Sequence, residues 1–138
     1  MPAAQTAPRT AMRRVLIVDG HPAVGRGLQA LVDEMPGLRV VGIASRGETG
    51  LARAALTRPD VVLVDADLPG LCSMAVIRLL RWRLPATRIV ALGIYPERLA
   101  AMRAPGADAL ILKDAGYDAL FEAIAGGASV VDGEGVLA

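Results

Sequence analysis

Five short apolar runs constrain the fold of this chain more than any other feature. Each run is rich in β-branched residues and is continuous, without the alternation of apolar and polar residues that marks a half-exposed strand. They lie at residues 14–18, 38–44, 61–64, 88–92 and 109–112. Strands that are covered on both faces, as in a parallel sheet, have this pattern. The runs therefore predict five parallel strands.

The segments between the runs carry apolar residues at helical spacing, and Pro22 is suited to the first position of a helix. The stripes comprise Val24, Leu28, Leu31, Val32 and Met35; Leu51, Ala55 and Leu56; Val76, Ile77, Leu80 and Leu84; Leu99 and Met102; and Leu120, Phe121 and Ile124. Strand and helix thus alternate five times, which predicts a doubly wound α/β domain.

Length and composition narrow the class of protein. A chain of 138 residues with a mean hydropathy of +0.45 suits one globular domain. No apolar run approaches the roughly 18 residues that a membrane span needs. Cys72 is the only cysteine, which excludes an internal disulfide. The formal net charge of +1 favours neither a nucleic acid nor a membrane surface as partner.

The two ends of the chain differ in composition from its centre. Residues 1–12 are polar and contain proline and arginine, and they lack the apolar core of a signal peptide. We predict a disordered tail at 1–12, a folded domain at 13–132, and the start of a linker or a C-terminal tail at 133–138. A cytoplasmic location is expected.

Charged residues follow three of the predicted strands. Asp19 follows the first strand, Asp65 the third, with Asp67 two residues on, and Lys113 the fifth. Lys113 is the only lysine beside fourteen arginines. Because the carboxyl ends of parallel strands meet at one edge of the sheet, these side chains are expected to converge. Carboxylates there suit Mg²⁺, and an aspartate can also accept a phosphoryl group whose charge a lysine offsets.

Three stretches carry a family resemblance: VLIVDGHPAVGRGLQAL, PDVVLVDADLPG and GADALILKDAG. Together they resemble the receiver domain of bacterial two-component response regulators, and DGHP with a lysine–aspartate pair resembles the NarL/LuxR-type subfamily. The resemblance implies a flavodoxin-like sheet of order 2-1-3-4-5 with five helices. It also implies that Asp65 is the phosphoacceptor equivalent, that Lys113 pairs with the phosphoryl group, and that Asp19, Asp65 and the Asp67 carbonyl form the magnesium site.

The same resemblance implies partners. Members of the subfamily normally carry a helix-turn-helix DNA-binding domain after the receiver, so DNA would be contacted through that domain, which this sequence lacks. A sensor histidine kinase or another protein partner and a homodimer are also expected, with no membrane association. The short fifth helix puts the usual dimer face in doubt. Receivers transmit signals, so an enzyme is not expected.

Three positions depart from the family pattern. Gly20 replaces the second acidic metal ligand, Gly93 replaces the usual Thr or Ser, and Leu110 replaces the aromatic switch residue. A lost hydrogen bond to a charged group costs about 1.5–3 kcal/mol. We therefore expect weakened Mg²⁺ binding and an atypical receiver that does not depend on conventional phosphorylation, with Asp65 and Lys113 kept as a direct ion pair.

Several alternatives remain. The chain could be a stand-alone receiver that acts as a protein-binding adaptor, or a conventional phospho-switch at Asp65. GHPAVG at 20–25 has the spacing of a phosphate-binding loop but lacks the Lys-Ser/Thr pair. His21 is expected to end the strand and position the helix, with proton transfer as the alternative. Four arginines could form a solvated or nucleic-acid-binding face: Arg78, Arg81, Arg83 and Arg88.

Overall fold

The computed structural model describes residues 12–126. These residues contain one five-stranded parallel sheet. The strands are β1 (Arg13–Val18), β2 (Leu38–Ala44), β3 (Val61–Asp65), β4 (Arg88–Gly93) and β5 (Ala109–Leu112). Their spatial order is β2-β1-β3-β4-β5, and all four neighbouring pairs are parallel. This confirms the predicted 2-1-3-4-5 order. The tail predicted at 1–12 and the linker at 133–138 lie almost wholly outside the described residues.

Five helices accompany the strands, as predicted: four connect successive strands and the fifth follows the last strand. They are α1 (Pro22–Asp33), α2 (Gly47–Thr57), α3 (Ser73–Arg83), α4 (Pro96–Ala100) and α5 (Tyr117–Ala125). Helix α1 begins at Pro22 after an extended His21, because proline pre-sets the helical φ and needs no amide hydrogen there. Helix α4 ends before Met102, which is buried in the turn that follows. No helix among the described residues has the length and apolar character needed to cross a membrane.

Two hydrophobic cores cover the two faces of the sheet. One contains Leu16, Val62 and Val64 together with side chains of α2, α3 and α4. The other contains Ile17 and Leu63 together with side chains of α1 and α5. Every residue of the central strand β3 is consequently buried, including Asp65 at its carboxyl end. Successive strand residues enter opposite cores, and both cores are apolar. The apolar runs in the sequence are continuous for this reason.

Helix α2 packs through a different face from the one predicted. Leu56 is 82% exposed, and Gly50 and Ala54 are buried instead. A β-carbon placed on Gly50 would lie 2.8 Å from Val18 Cγ1, so the helix approaches β1 too closely for any side chain there. The predicted stripe of Leu51, Ala55 and Leu56 was wrong for Ala55 and Leu56, because close backbone packing rather than side-chain hydrophobicity selects the buried face.

Gly50→Ala tests this close approach. We expect the free energy of unfolding to fall by about 1–3 kcal/mol, because the added methyl group overpacks the core against Val18. Gly27→Ala is the matched control, since Gly27 also lies in a helix but has nothing within 4 Å of its β-carbon position. That variant should gain about 0.5–1 kcal/mol in urea denaturation. Equal effects of the two substitutions would contradict the packing described here.

Candidate functional site

The site lies where strands β1, β3 and β5 end. Asp19 follows β1, Asp65 is the last residue of β3, and Lys113 follows β5. The Lys113 Nζ atom lies 2.9 Å from Asp19 Oδ2 and 3.6 Å from Asp65 Oδ1. Both aspartates are almost fully buried, at 1% and 2% exposure. The structure therefore brings together the three charged residues that the sequence placed at one sheet edge.

The ammonium group favours one aspartate over the other. Lys113 donates a hydrogen bond to Asp19, whereas its distance to Asp65 is too long for one. The direct ion pair predicted between Asp65 and Lys113 is thus the longer of two contacts. The shorter contact with Asp19 was not foreseen, because residue order along strands does not fix side-chain direction.

Main-chain amides donate further hydrogen bonds to the two carboxylates. The amide of Gly20 donates to Asp65 Oδ2 at 3.2 Å, and the amide of Asp67 donates to Asp65 Oδ1 at 3.0 Å. The amide of His21 donates to Asp19 Oδ1 at 2.9 Å. Gly20 thus contributes its backbone to Asp65 even though it offers no carboxylate. Amide donors of this kind can stabilise negative charge on a carboxylate or on a group attached to it.

Burial raises the pKa of Asp65, and the nearby negative charge of Asp19 raises it further. The amides of Asp67 and Gly20 and the ammonium of Lys113 oppose this rise but do not cancel it. The pKa of the folded state therefore lies above the ordinary value of 3.8. The folded protein holds a proton at Asp65 to higher pH than the unfolded chain does.

The donors present fit a magnesium ion in type. Asp19 and Asp65 offer two carboxylates, and the ligand atoms of Asp19, His21 and Asp65 lie within 4.8 Å of one another. The main-chain oxygen of Asp67 lies 3.5 Å from the β-carbon position of Gly20. Mg²⁺ accepts such a set of oxygens together with water. Lys113 lies within 4 Å of both carboxylates and offsets one of the two negative charges.

Neighbouring residues fill the space beside Gly20 and Gly93. A β-carbon placed on Gly20 would lie 2.6 Å from Pro69 Cδ. One placed on Gly93 would lie 3.3 Å from the β-carbons of both Ala66 and Leu99. Neither position accepts a larger side chain without displacement of a neighbour. Leu110, at the expected switch position, is 1% exposed in the core beneath α2, α3 and α4.

Two polar residues that shape the site were missed by the sequence analysis. The buried Ser73 hydroxyl donates to the main-chain oxygen of Asp65 at 2.6 Å and accepts from the Leu68 amide at 3.2 Å. Arg98 Nη1 lies 2.7 Å from Asp67 Oδ1 and packs over the Tyr95 ring. A serine at the start of a helix was the only available signal for the first, and nothing in the sequence pointed to the second.

Two of the four arginines predicted to form a basic face are bound by other parts of the protein. Arg81 binds Asp108 and three main-chain oxygens, of Pro85, Thr87 and Gly106, and Arg88 binds the main-chain oxygen of Ala123, so these two residues do not belong to a free basic face. The His21 side chain is 67% exposed, and Cys72 is exposed. A cleft of about 430 Å³ lies over the site and is lined by Gly20, His21, Asp67, Leu68 and Pro69.

Comparison with known proteins identifies the family. The sequence profile of the response regulator receiver domain matches residues 15–125, nearly the whole described fold. The chain belongs to the response regulator receiver family. Receivers of this family are signalling modules that bind Mg²⁺ at an acidic pocket, interact with sensor kinases and often dimerise.

Curated relatives belong to the NarL/LuxR group. The transcriptional regulatory protein MctR of Rhizobium johnstonii is 36% identical over 113 residues, covering 80% of this chain and 53% of that protein. The nitrate/nitrite response regulator NarL of Escherichia coli is 32% identical over 112 residues, covering 80% of this chain and 52% of that protein. The chain thus spans about half the length of these relatives.

Solved receiver structures share the fold. A LuxR-family response regulator from an Aurantimonas species superimposes with a TM-score of 0.77 at 27% identity, covering 83% of this chain and 84% of that one. The receiver domain of a NarL protein from Mycobacterium tuberculosis gives the same TM-score and identity, covering 83% and 94%. These matches agree with the sheet order and the five helices described above.

Asp65→Asn should stabilise the protein at neutral pH. The folded-state pKa of Asp65 is raised, so the folded state binds more protons than the unfolded state, and stability falls as pH rises from the ordinary value of 3.8 through the raised one. The asparagine variant lacks this fall. Its gain over the wild type in thermal unfolding should therefore be larger at about pH 7 than at about pH 3.5. The exposed Asp114→Asn is the control, and equal gains at both pH values would refute the assignment.

Ser73→Ala should destabilise the loop that follows Asp65. The substitution leaves the partly buried amide of Leu68 without its acceptor and removes the donor to the main-chain oxygen of Asp65, at an expected cost of about 1–3 kcal/mol in urea denaturation. Thr49→Ala is the matched control, because the Thr49 hydroxyl bonds a main-chain oxygen at 3.0 Å on the surface. We expect less than about 0.5 kcal/mol there. A loss at Ser73 no larger than that at Thr49 would contradict the proposed positioning of the loop.

Proposed function

We propose that this protein is an atypical response regulator receiver that controls transcription without conventional, magnesium-dependent phosphorylation of Asp65. In this proposal, Asp65 is the phosphoacceptor equivalent, and Asp19, Asp65 and Lys113 form an ion cluster that is part of the resting fold. Output passes through a helix-turn-helix DNA-binding domain following the receiver. One relative, MctR, is named as a transcriptional regulatory protein, and the match covers 53% of its length, which supports this output.

The position of Lys113 is the observation that supports the proposal most strongly. Its ammonium hydrogen-bonds Asp19, so the carboxylate that would attract a cation already has a positive partner. Two carboxylates and one ammonium leave a formal charge of −1, whereas the family pattern with a second acidic residue at position 20 would leave −2. Because Mg²⁺ gives up its hydration shell reluctantly, the loss of one negative ligand weakens its binding.

The packing around the two glycines gives independent support. Pro69 occupies the space that a side chain at position 20 would enter, and Ala66 with Leu99 closes on Gly93. No vacant volume therefore lies beside position 20 for an acidic side chain or beside position 93 for a hydroxyl group. Position 93 is glycine and position 110 is leucine. The chain therefore lacks activation through a threonine or serine hydroxyl at position 93 and an aromatic ring at position 110.

In the absence of phosphorylation, a protein partner would set the conformation. Ile94 and Tyr95, in the loop after β4, are 59% and 52% exposed. Arg98 on the adjoining helix α4 contacts both Tyr95 and Asp67. A partner that covers these apolar side chains would therefore act on the loop that adjoins Asp65. A stand-alone adaptor would use the same surface without DNA.

A conventional phospho-switch at Asp65 is the second candidate function. The amides of Gly20 and Asp67 both donate to the Asp65 carboxylate, and Lys113 lies beside it. These groups could stabilise the charge of a phosphoryl group once it was attached. The candidate requires Lys113 to leave Asp19 and requires Mg²⁺ to bind with two carboxylates.

Phosphorylation in vitro distinguishes the two candidates. The wild-type chain and Asp65→Asn are incubated with acetyl phosphate and Mg²⁺, or with beryllofluoride, and followed by intact mass and by NMR. We expect at least about tenfold less modification of the wild type than of a double variant, Gly20→Asp with Pro69→Ala, which restores the acid and makes room for it. Efficient, magnesium-dependent modification of wild-type Asp65 would establish the conventional switch instead.

A further inference from the structure

A pocket of about 230 Å³ lies between helices α1 and α5, beside the carboxyl ends of strands β4 and β5. Helix α1 contributes Val24, Leu28 and Leu31 to its lining, and their spacing places them on one face of the helix. Leu92 of β4 and Ile111 of β5 line it from the sheet, and both are buried. Side chains of both helices and of the sheet therefore enclose an apolar concavity.

The mouth of this pocket is open to solvent. Val24 on α1 and Tyr117 at the start of α5 are 39% and 40% exposed, although both belong to the lining. A β-carbon placed on Gly116, which also lines the pocket, would meet no atom of the described chain within 4 Å. Apolar side chains exposed around a concavity are typical of a ligand site. Within residues 12–126, the pocket shares no lining residue with the cleft over the acidic cluster.

Among the described residues, Lys113 is the one charged member of the lining. Its ammonium group has three N–H donors. Among residues 12–126 it donates one hydrogen bond, to Asp19, and it lies 3.6 Å from Asp65. At least one donor therefore remains for another acceptor. The two carboxylates and the ammonium have a formal charge of −1, which disfavours an anion beside them, so an uncharged acceptor such as a carbonyl oxygen suits the lysine best.

We propose that the pocket binds a small, uncharged, apolar molecule of about nine or ten heavy atoms whose carbonyl oxygen accepts a hydrogen bond from Lys113. An aliphatic cavity of roughly 150 Å³ binds benzene, so 230 Å³ has room for one ring with a short substituent. Lys113 also belongs to the acidic cluster, so the bound molecule acts directly on that cluster. The inference goes beyond the proposed receiver function and does not depend on whether Asp65 accepts a phosphoryl group.

Three probes of similar shape test the ligand class by NMR titration of the whole 138-residue chain. They are acetophenone, α-methylstyrene, in which a methylene group replaces the carbonyl oxygen, and the anion benzoate. We expect acetophenone to bind with a Kd on the order of 0.1–1 mM and to shift the methyl resonances of Leu28, Leu31 and Leu120. It should bind at least as tightly as α-methylstyrene, because a buried carbonyl without a hydrogen bond would weaken its binding by about tenfold or more. Benzoate should bind about tenfold more weakly than acetophenone.

Val24→Phe tests the position of the ligand, because the larger side chain fills the mouth of the pocket. We expect the affinity for acetophenone to fall by at least about tenfold. Ala30→Phe, at an exposed position of α1 outside the lining, is the matched control and should leave the affinity unchanged.

Three results would overturn the proposal. The first is the absence of methyl shifts with every probe, and the second is weaker binding of acetophenone than of α-methylstyrene or of benzoate. The third is a shift of the same methyl resonances when the protein is concentrated without any probe, because a side chain of a second copy would then occupy the pocket.

Discussion

The burial of two carboxylates at the ends of neighbouring strands is the constraint on which the functional end of this fold depends. Asp19 and Asp65 are almost inaccessible to water and lie close enough to raise the pKa of Asp65. Buried charges are tolerated only when they are paired and hydrogen-bonded. Lys113 supplies the charge and three amides supply the hydrogen bonds. The only lysine of the chain therefore lies beside the two buried carboxylates, where its positive charge offsets part of their negative charge.

The pairing of Lys113 with the two aspartates affects how Gly20 and Gly93 are interpreted. A glycine at position 20 adds no carboxylate, so the two aspartates and the one ammonium leave a formal charge of −1. Pro69 packs into the freed space, and Ala66 and Leu99 do the same around Gly93. In the proposed atypical receiver, the absence of a carboxylate at position 20 and the closed volume beside it therefore occur together. A single substitution back to an acid or a hydroxyl meets a packing penalty, since well-packed interiors tolerate added atoms poorly.

The sequence predicted the fold almost completely, because burial on both faces leaves a direct trace in continuous apolar runs. The five strands and the order of the sheet follow from these runs and from the receiver motifs. The buried face of helix α2 was harder to predict. Gly50 and Ala54 make its contact with β1, whereas hydrophobicity alone selects the wrong face. The convergence of Asp19, Asp65 and Lys113 was predictable from topology. The roles of Ser73 and Arg98 were not, because they depend on loop conformation.

The two ends of the sheet are linked through helix α5. Only Asp114, Ala115 and Gly116 separate Lys113 from the first residue of this helix. Arg13 and Arg88 hold its other end through the oxygens of Ala125 and Ala123. Withdrawal of Lys113 from Asp19 therefore acts first on the start of α5, while the arginines resist displacement of its end. Because the carboxyl end of this nine-residue helix is anchored, a displacement that starts at Lys113 is larger at its first turn than at its last.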